Sequence, residues 1–285
     1  MIKTETIATL RENIAKYGSG TKGFVPTMGA LHQGHINLVR RAVSECSLVT
    51  VSIFVNPTQF NDKRDLEKYP RTIDNDLKML SQVLREHDLV FVPSVNEIYP
   101  ASDTRVFDFG TVAGAMEGLH RPGHFNGVAQ VVSRLFDIAE PDVAYFGQKD
   151  FQQLAVIREL VHQTGSKVKV VGCPTVREAD GLAMSSRNAL LTPPHRKAAG
   201  IIYKSLTTAA ELIREEGIEQ ASDFFRSAIE SVDGFRLQYF EVVDDTKLVP
   251  VAHKADFQTN KQYCICVALF AGDIRLIDNI PISLE

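Results

Sequence analysis

The segment Pro26-Thr27-Met28-Gly29-Ala30-Leu31-His32-Gln33-Gly34-His35 combines two glycines with two histidines three residues apart. At that spacing the imidazoles face the same side of one helical turn. A helix starting here offers its N-terminal amides and dipole to phosphate. Two imidazoles can then donate to charge that develops on a bridging phosphate oxygen. Gly29 and Gly34 let the backbone bend and come close to a ligand. The bland alternative is a turn with two surface histidines. The coincidence of glycines, histidines and position favours the phosphate reading. A zinc site is a weaker rival, because no third ligand stands nearby.

Four other segments carry groups of the same kind. In FVNPTQF (54–60), Asn56 and Gln59 offer neutral donors and acceptors suited to hydroxyls and carboxylates. Taken alone, Asn-Pro is simply a turn. In FGQKDFQQ (146–153), Lys149 suits phosphate, Asp150 suits a ribose or a metal, and Gln153 suits a substrate. A solvated Lys-Asp pair is the alternative there. In MSSRN (184–188), two hydroxyls precede a guanidinium that can grip phosphate in a bidentate manner. Ser185 or Ser186 also suits a helix N-cap. RPGHFNG (121–127) precedes a helix and reads as a pocket wall, a lid or a plain loop.

These groups need elements to hold them. Apolar runs at 22–26, 48–55, 88–92, 143–146 and 167–173 read as strands. Between them, 36–46, 66–86 (interrupted early by Pro70), 128–138 and 152–163 read as helices, from apolar residues close to helical spacing. Such alternation predicts βαβ units around a parallel sheet, with the first three motifs at strand ends, where doubly wound sheets bind ligands. Beyond about residue 180 the pattern changes. Helices at 196–216 and 218–231 are followed by strands at 237–243, 255–257 and 263–269, which predicts a smaller α+β domain. The polar, aperiodic stretch 177–188 is the expected hinge, giving domains 1–180 and 181–285.

Composition excludes several classes. A net charge of −4 argues against a nucleic-acid backbone as partner. No apolar run approaches the roughly 20 residues of a membrane span. Residues 1–10 include Lys3 and Glu5 and lack the apolar core of a secretory signal. Cys46, Cys173, Cys264 and Cys266 match no zinc spacing and are too few for a disulfide scaffold, so a reducing cytoplasm is expected.

Together the segments PTMGALHQGH, SIFVNPTQF, YPRT, RPGHFNGV, FGQKDFQQL, VREADGLAMSSRN and RLIDN closely resemble the pantoate–β-alanine ligase family in order and spacing along the whole chain. The first and the MSSRN segment also look like the HxGH and KMSKS-type signatures of the wider nucleotidylyl-transferase and class I aminoacyl-tRNA synthetase group. The resemblance implies a Rossmann-like doubly wound parallel sheet with a smaller C-terminal α+β lid domain. It implies that pantoate carboxylate attacks the α-phosphate of ATP to give pantoyl adenylate and pyrophosphate. The amine of β-alanine then displaces AMP and yields pantothenate. Such chemistry asks for orientation and charge neutralisation rather than a protein nucleophile.

By the same resemblance, Met28, Gly29, Ala30, Leu31, His32, Gln33, Gly34 and His35 contact ATP. So do Gly147, Gln148, Lys149, Asp150, Val176, Met184, Ser185, Ser186 and Arg187. His35, His32, Lys149, Ser185, Ser186 and Arg187 are the catalytic candidates. Gln59 and Gln153 hold pantoate, Gln59 also borders β-alanine, and Asn56 and Arg121 complete the substrate contacts. Gln148 departs from the family, which often has Glu there. Mg2+ is expected with ATP, with Asp76 and Asp150 as candidate ligands, and a homodimer is implied. Lys149 and the 185–187 clamp are expected on opposite sides of the domain boundary, meeting only on closure. Two rival functions remain: a related nucleotidylyltransferase with another acceptor, and a non-enzymatic nucleotide- or RNA-binding module. NPTQF and FGQKDFQQL argue against the first, and the charge and polar constellation against the second.

Overall fold

The computed structural model describes residues 1–60 and 63–283. Its contacts divide the chain into two compact units. The first comprises Met1–Phe109, His120–Gln148 and Val156–Pro174, and the second Gly110–Leu119, Lys149–Ala155 and Thr175–Glu285.

The first unit is built on six parallel strands: β1 (Ile2–Thr4), β2 (Lys22–Thr27), β3 (Leu48–Ile53), β4 (Leu89–Phe91), β5 (Val143–Gly147) and β6 (Lys169–Cys173). Their spatial order is β1-β4-β3-β2-β5-β6. The order reverses between β2 and β5, and that reversal is where open α/β sheets bind ligands. Every residue of β3 is buried, as expected of a parallel strand covered on both faces. Helices α1 (Ile7–Tyr17), α2 (Gln33–Glu45), α3 (Lys63–Lys68), α4 (Ile73–Leu80), α5 (Val95–Ile98), α6 (Glu117–His120), α7 (His124–Ala139) and α8 (Phe151–Thr164) connect the strands. Val25, Val39, Val49, Val51, Leu80, Val90 and Tyr145 belong to one buried cluster that fixes α2 on the sheet. Each such side chain contributes about 1.5–3 kcal/mol by leaving water.

The second unit carries an antiparallel sheet of β7 (Phe235–Asp244), β8 (Tyr263–Ala271) and β9 (Ile274–Ile282). Gly272, at φ 60°, makes the tight turn between β8 and β9. Helices α9 (Pro193–Ala198), α10 (Ile201–Glu215) and α11 (Ile218–Glu230) accompany the sheet. Ile202, Leu206, Ile213, Phe225 and Ile229 form its core with Ile265, Val267 and Leu269.

Several expectations need correction. Residues 255–257 are not a strand but lie at a 3-10 turn, Lys254–Asp256, where the Asp256 carboxylate accepts from His253 N. The expected helix 66–86 is two helices, α3 and α4, because Pro70 cannot continue α3. The expected helix 196–216 breaks at Gly200, where a Cβ would lie 2.8 Å from Asp180 O. The sequence pattern predicts neither strands β1 and β9 nor helix α1. β9 carries no clear strand signature because Asp278, Asn279 and Pro281 interrupt its apolar pattern, which an edge strand tolerates. Finally, 177–188 is not a connector: all of it lies within the second unit.

Candidate active site

The β2–α2 junction is held in a constrained shape from below. Gly29 has φ 77° and Ala30 φ 48°, consecutive left-handed residues of which the alanine is strained. Asp76, on α4 and 1% exposed, holds them there. Its Oδ2 accepts from Ala30 N at 3.0 Å and its Oδ1 from Leu31 N at 2.8 Å. Thr72 Oγ1 donates to the same Oδ1 at 3.0 Å. A Cβ at Gly29 would sit 3.0 Å from Asp76 Oδ2, and φ 77° is a backbone conformation that glycine adopts without strain, so glycine suits this loop.

The loop ends in a cap made of histidines. His32 is the N-cap of α2, and its Nδ1 accepts from Gly34 N at 3.2 Å. His35 Nδ1 accepts in return from His32 N at 3.3 Å. The ring centroids are 4.1 Å apart. Because each Nδ1 is an acceptor, each neutral imidazole carries its proton on Nε2. The pair therefore consists of two donors held side by side at the start of a helix.

Beside it in the same unit, Asn56 and Gln59 are both buried. The Asn56 amide donates to Gln59 Oε1 at 3.2 Å and to Gly127 O at 3.1 Å. Its Oδ1 accepts from Thr58 Oγ1 and from the Tyr99 hydroxyl. Asn56 thus works as an internal strut. Gln59 Nε2 meets Met28 Sδ at 3.2 Å. His124 Nδ1 donates to Gln59 O at 2.8 Å, which leaves its Nε2 to accept from Arg121 at 3.1 Å. Arg121 is thereby oriented by a residue sequence reasoning passed over, although RPGHFNG contains it. A Cβ at Gly127 would fall 2.4 Å from Thr58 O, so only glycine permits α7 to approach this loop. Gly147 ends β5, and Gln148 N donates to Cys173 O at 2.8 Å.

The second unit holds the remaining candidates. Lys149 Nζ lies 3.5 Å from Asp150 Oδ1; the Lys149 side chain is 17% exposed and that of Asp150 48%. The next helix turn is fixed by Gln152, which donates to Val112 O and Ala115 O and accepts from Glu117 N. Gln153, its neighbour, is half-buried. Glu117 in turn receives the Arg275 guanidinium at 2.6 and 2.7 Å and the Tyr239 hydroxyl at 2.9 Å. Burial, then the Glu117 charge, push the Tyr239 phenol well above its usual range. Burial pulls the Arg275 guanidinium down, but its bond to Glu117, the Glu117 charge and Tyr239 together outweigh that and the net shift is upward.

Residues 176–184 form a short hairpin. Met184 N donates to Val176 O, Glu178 N to Leu182 O, and Gly181 turns at φ 89°. Met184 leads from it to Ser185, whose Oγ accepts from Arg187 N at 3.3 Å and caps the 3-10 turn Ser186–Leu190. The bland N-cap role and a phosphate role are compatible in Ser185, because one side-chain cap satisfies only one of the amides at the start of a helical turn. Lys149 and Ser185–Arg187 belong to one unit, contrary to the expectation of opposite sides. Among the described residues no group of three or more His, Cys, Asp or Glu gathers to hold a metal.

A sequence profile described as Pantoate-beta-alanine ligase matches residues 2–281. A pantothenate synthetase of Porphyromonas gingivalis W83 is 49% identical over 278 residues, covering 96% of this chain and 97% of that one. One from Phocaeicola vulgatus is 50% identical over 279 residues, covering 97% of each. Among solved structures, pantothenate synthetase from Thermus thermophilus superposes with a TM-score of 0.88 at 41% identity, covering 98% of this chain and 99% of that one. A pantoate-beta-alanine ligase from Francisella tularensis, complexed with beta-gamma ATP and beta-alanine, gives 0.78 at 35% identity, covering 98% and 97%.

Proposed function

This chain belongs to the pantoate–β-alanine ligase family, with the HIGH-type nucleotidyltransferase fold, and from that premise we propose how its residues divide the work. The enzyme joins pantoate to β-alanine at the expense of ATP, releasing AMP and pyrophosphate. In the first step a pantoate carboxylate oxygen bonds to the α-phosphorus, and the bond to the α–β bridging oxygen breaks. In the second, the β-alanine nitrogen bonds to the acyl carbon, and AMP leaves with the former carboxylate oxygen.

Met28–His35 bind the ATP phosphates. His32 and His35 act through Nε2–H as neutral donors to charge on the phosphate chain. The observation that carries this is the reciprocal cap, which aims two fixed donors from a helix start. Asp76 is a positioning residue for them, since its oxygens already accept from two amides and a hydroxyl. Gln59 and Gln153 hold pantoate, with Gln59 bordering β-alanine. Asn56 and His124 position Gln59 and Arg121. Gly147, Gln148 and Val176 line the nucleoside side, Asp150 takes the ribose, and Lys149, Met184, Ser185, Ser186 and Arg187 take the phosphates.

The described residues do not build a magnesium site of their own. Asp76 is surrounded by donors, and Asp150 is a single half-exposed carboxylate. Mg2+ would arrive on the ATP phosphates, which suits its preference for phosphate and water. We further propose a homodimer and a cytoplasmic location; four buried cysteines that form no disulfide suit the latter. The activity is tested by AMP release. It is expected only when pantoate, β-alanine and ATP are all present. AMP release with another acceptor in place of β-alanine, at equal rate, would favour a different transferase.

A further inference from the structure

The RLIDN segment on β9 has no role in the assignments above, yet its polar side chains reach both the Lys149 segment and the hairpin of the second unit. Asp278 is 3% exposed and Asn279 8% exposed. The Asp278 carboxylate receives Arg177 through both oxygens, at 2.7 and 3.0 Å. The same guanidinium donates to Gly181 O at 3.1 Å and to Asn279 O at 3.2 Å, and stacks on Tyr203 at 3.8 Å. The hairpin that leads into Met184–Arg187 is thus fastened at residue 278. One residue on, Asn279 Nδ2 donates to the Lys149 carbonyl at 2.8 Å, and Asn279 N donates to Asp278 Oδ1 at 2.8 Å. Two positions that are adjacent on one strand therefore hold two segments that are about thirty residues apart in the chain.

We propose that Asp278 and Asn279 are positioning residues for adenylate formation, setting the Lys149 main chain and the Ser185–Arg187 clamp in one register. The proposal rests on the reading that Lys149 and the clamp bind the ATP phosphates. A charge placed from a flexible loop drifts, and displacement of about 1 Å is enough to cost roughly a hundredfold in rate. A bond to the Lys149 carbonyl fixes that residue's Cα whatever its side chain does. Asn279 therefore acts on the reaction through Lys149, and its effect vanishes when the ammonium is gone.

The test is a double-mutant cycle of Asn279→Ala and Lys149→Ala. The readouts are pantoate-dependent ATP–pyrophosphate exchange without β-alanine, and conversion of synthetic pantoyl adenylate with β-alanine. Asn279→Ala should lower exchange by about 10- to 100-fold and adenylate conversion much less. In the Lys149→Ala background it should lower exchange by less than about twofold, while thermal destabilisation by the two substitutions stays additive. Asn279→Ser serves the same cycle if the alanine variant does not fold. An equal loss of exchange in both backgrounds overturns the proposal and leaves Lys149's role standing. Unchanged exchange in Lys149→Ala overturns the phosphate reading of Lys149, and the proposal with it.

Discussion

His32 does two jobs that one substitution can separate. Its Nδ1 caps α2, and in the mechanism proposed above its Nε2–H donates to the phosphate chain. Asparagine caps helices well but is too short to replace the outer ring nitrogen. His32→Asn should therefore keep the stability that His32→Ala loses, about 1 kcal/mol in urea denaturation. Both should lose pyrophosphate exchange by two to three orders of magnitude, about what a lost transition-state donor costs. Recovery of exchange in the asparagine variant would reduce the ring to a cap. The two histidines were legible because their spacing is local. Asp76 was legible only as a carboxylate. Its partners Ala30 and Leu31 lie 46 and 45 residues away, and no local pattern announces such a bond. Asn56 looked like a substrate ligand by residue type, whereas folding turns its amide inward to Gln59 and Gly127.

Elements hold these residues by close approach. α7 meets the 56–60 loop at Gly127, where a Cβ would press to 2.4 Å from Thr58 O. Gly127→Ala must push the loop and Gln59 away. Overpacking of this kind costs about 1–3 kcal/mol. Initial rates with pantoate varied should show a raised KM for pantoate and little change in that for ATP; an equal rise in both would place Gln59 elsewhere. The central strands were legible because β2, β3 and β5 are short, mostly apolar runs, close to the pattern of a strand buried on both faces. β1 and β4 are only three residues long, and β4 was found by its apolar run while β1, with Lys3 and Thr4, was not. β9 was missed for a related reason: its Asp278 and Asn279 are buried by pairing with Arg177 and Lys149, not by apolarity.

The whole molecule consists of two units whose sequences interleave. Residues 110–119 and 149–155 join the second unit through Gln152, Glu117 and Arg275. That arrangement is invisible in a linear reading, because it depends on bonds between positions as far apart as 117 and 275. It also places Lys149 with the clamp. Arg187→Lys should then slow exchange strongly, since lysine lacks the planar fork. Conversion of pre-formed pantoyl adenylate, which has no pyrophosphate left to neutralise, should be slowed much less. Equal losses in both half-reactions would assign the clamp to the site as a whole. The most direct measurement for the entire account uses pantoate carrying heavy oxygen in its carboxylate, turned over with ATP and β-alanine, with the products read by mass spectrometry. A pantoyl adenylate route predicts one heavy oxygen in each AMP and none in pyrophosphate. Heavy oxygen in inorganic phosphate, with ADP as the nucleotide product, would mean an acyl phosphate instead and would contradict it.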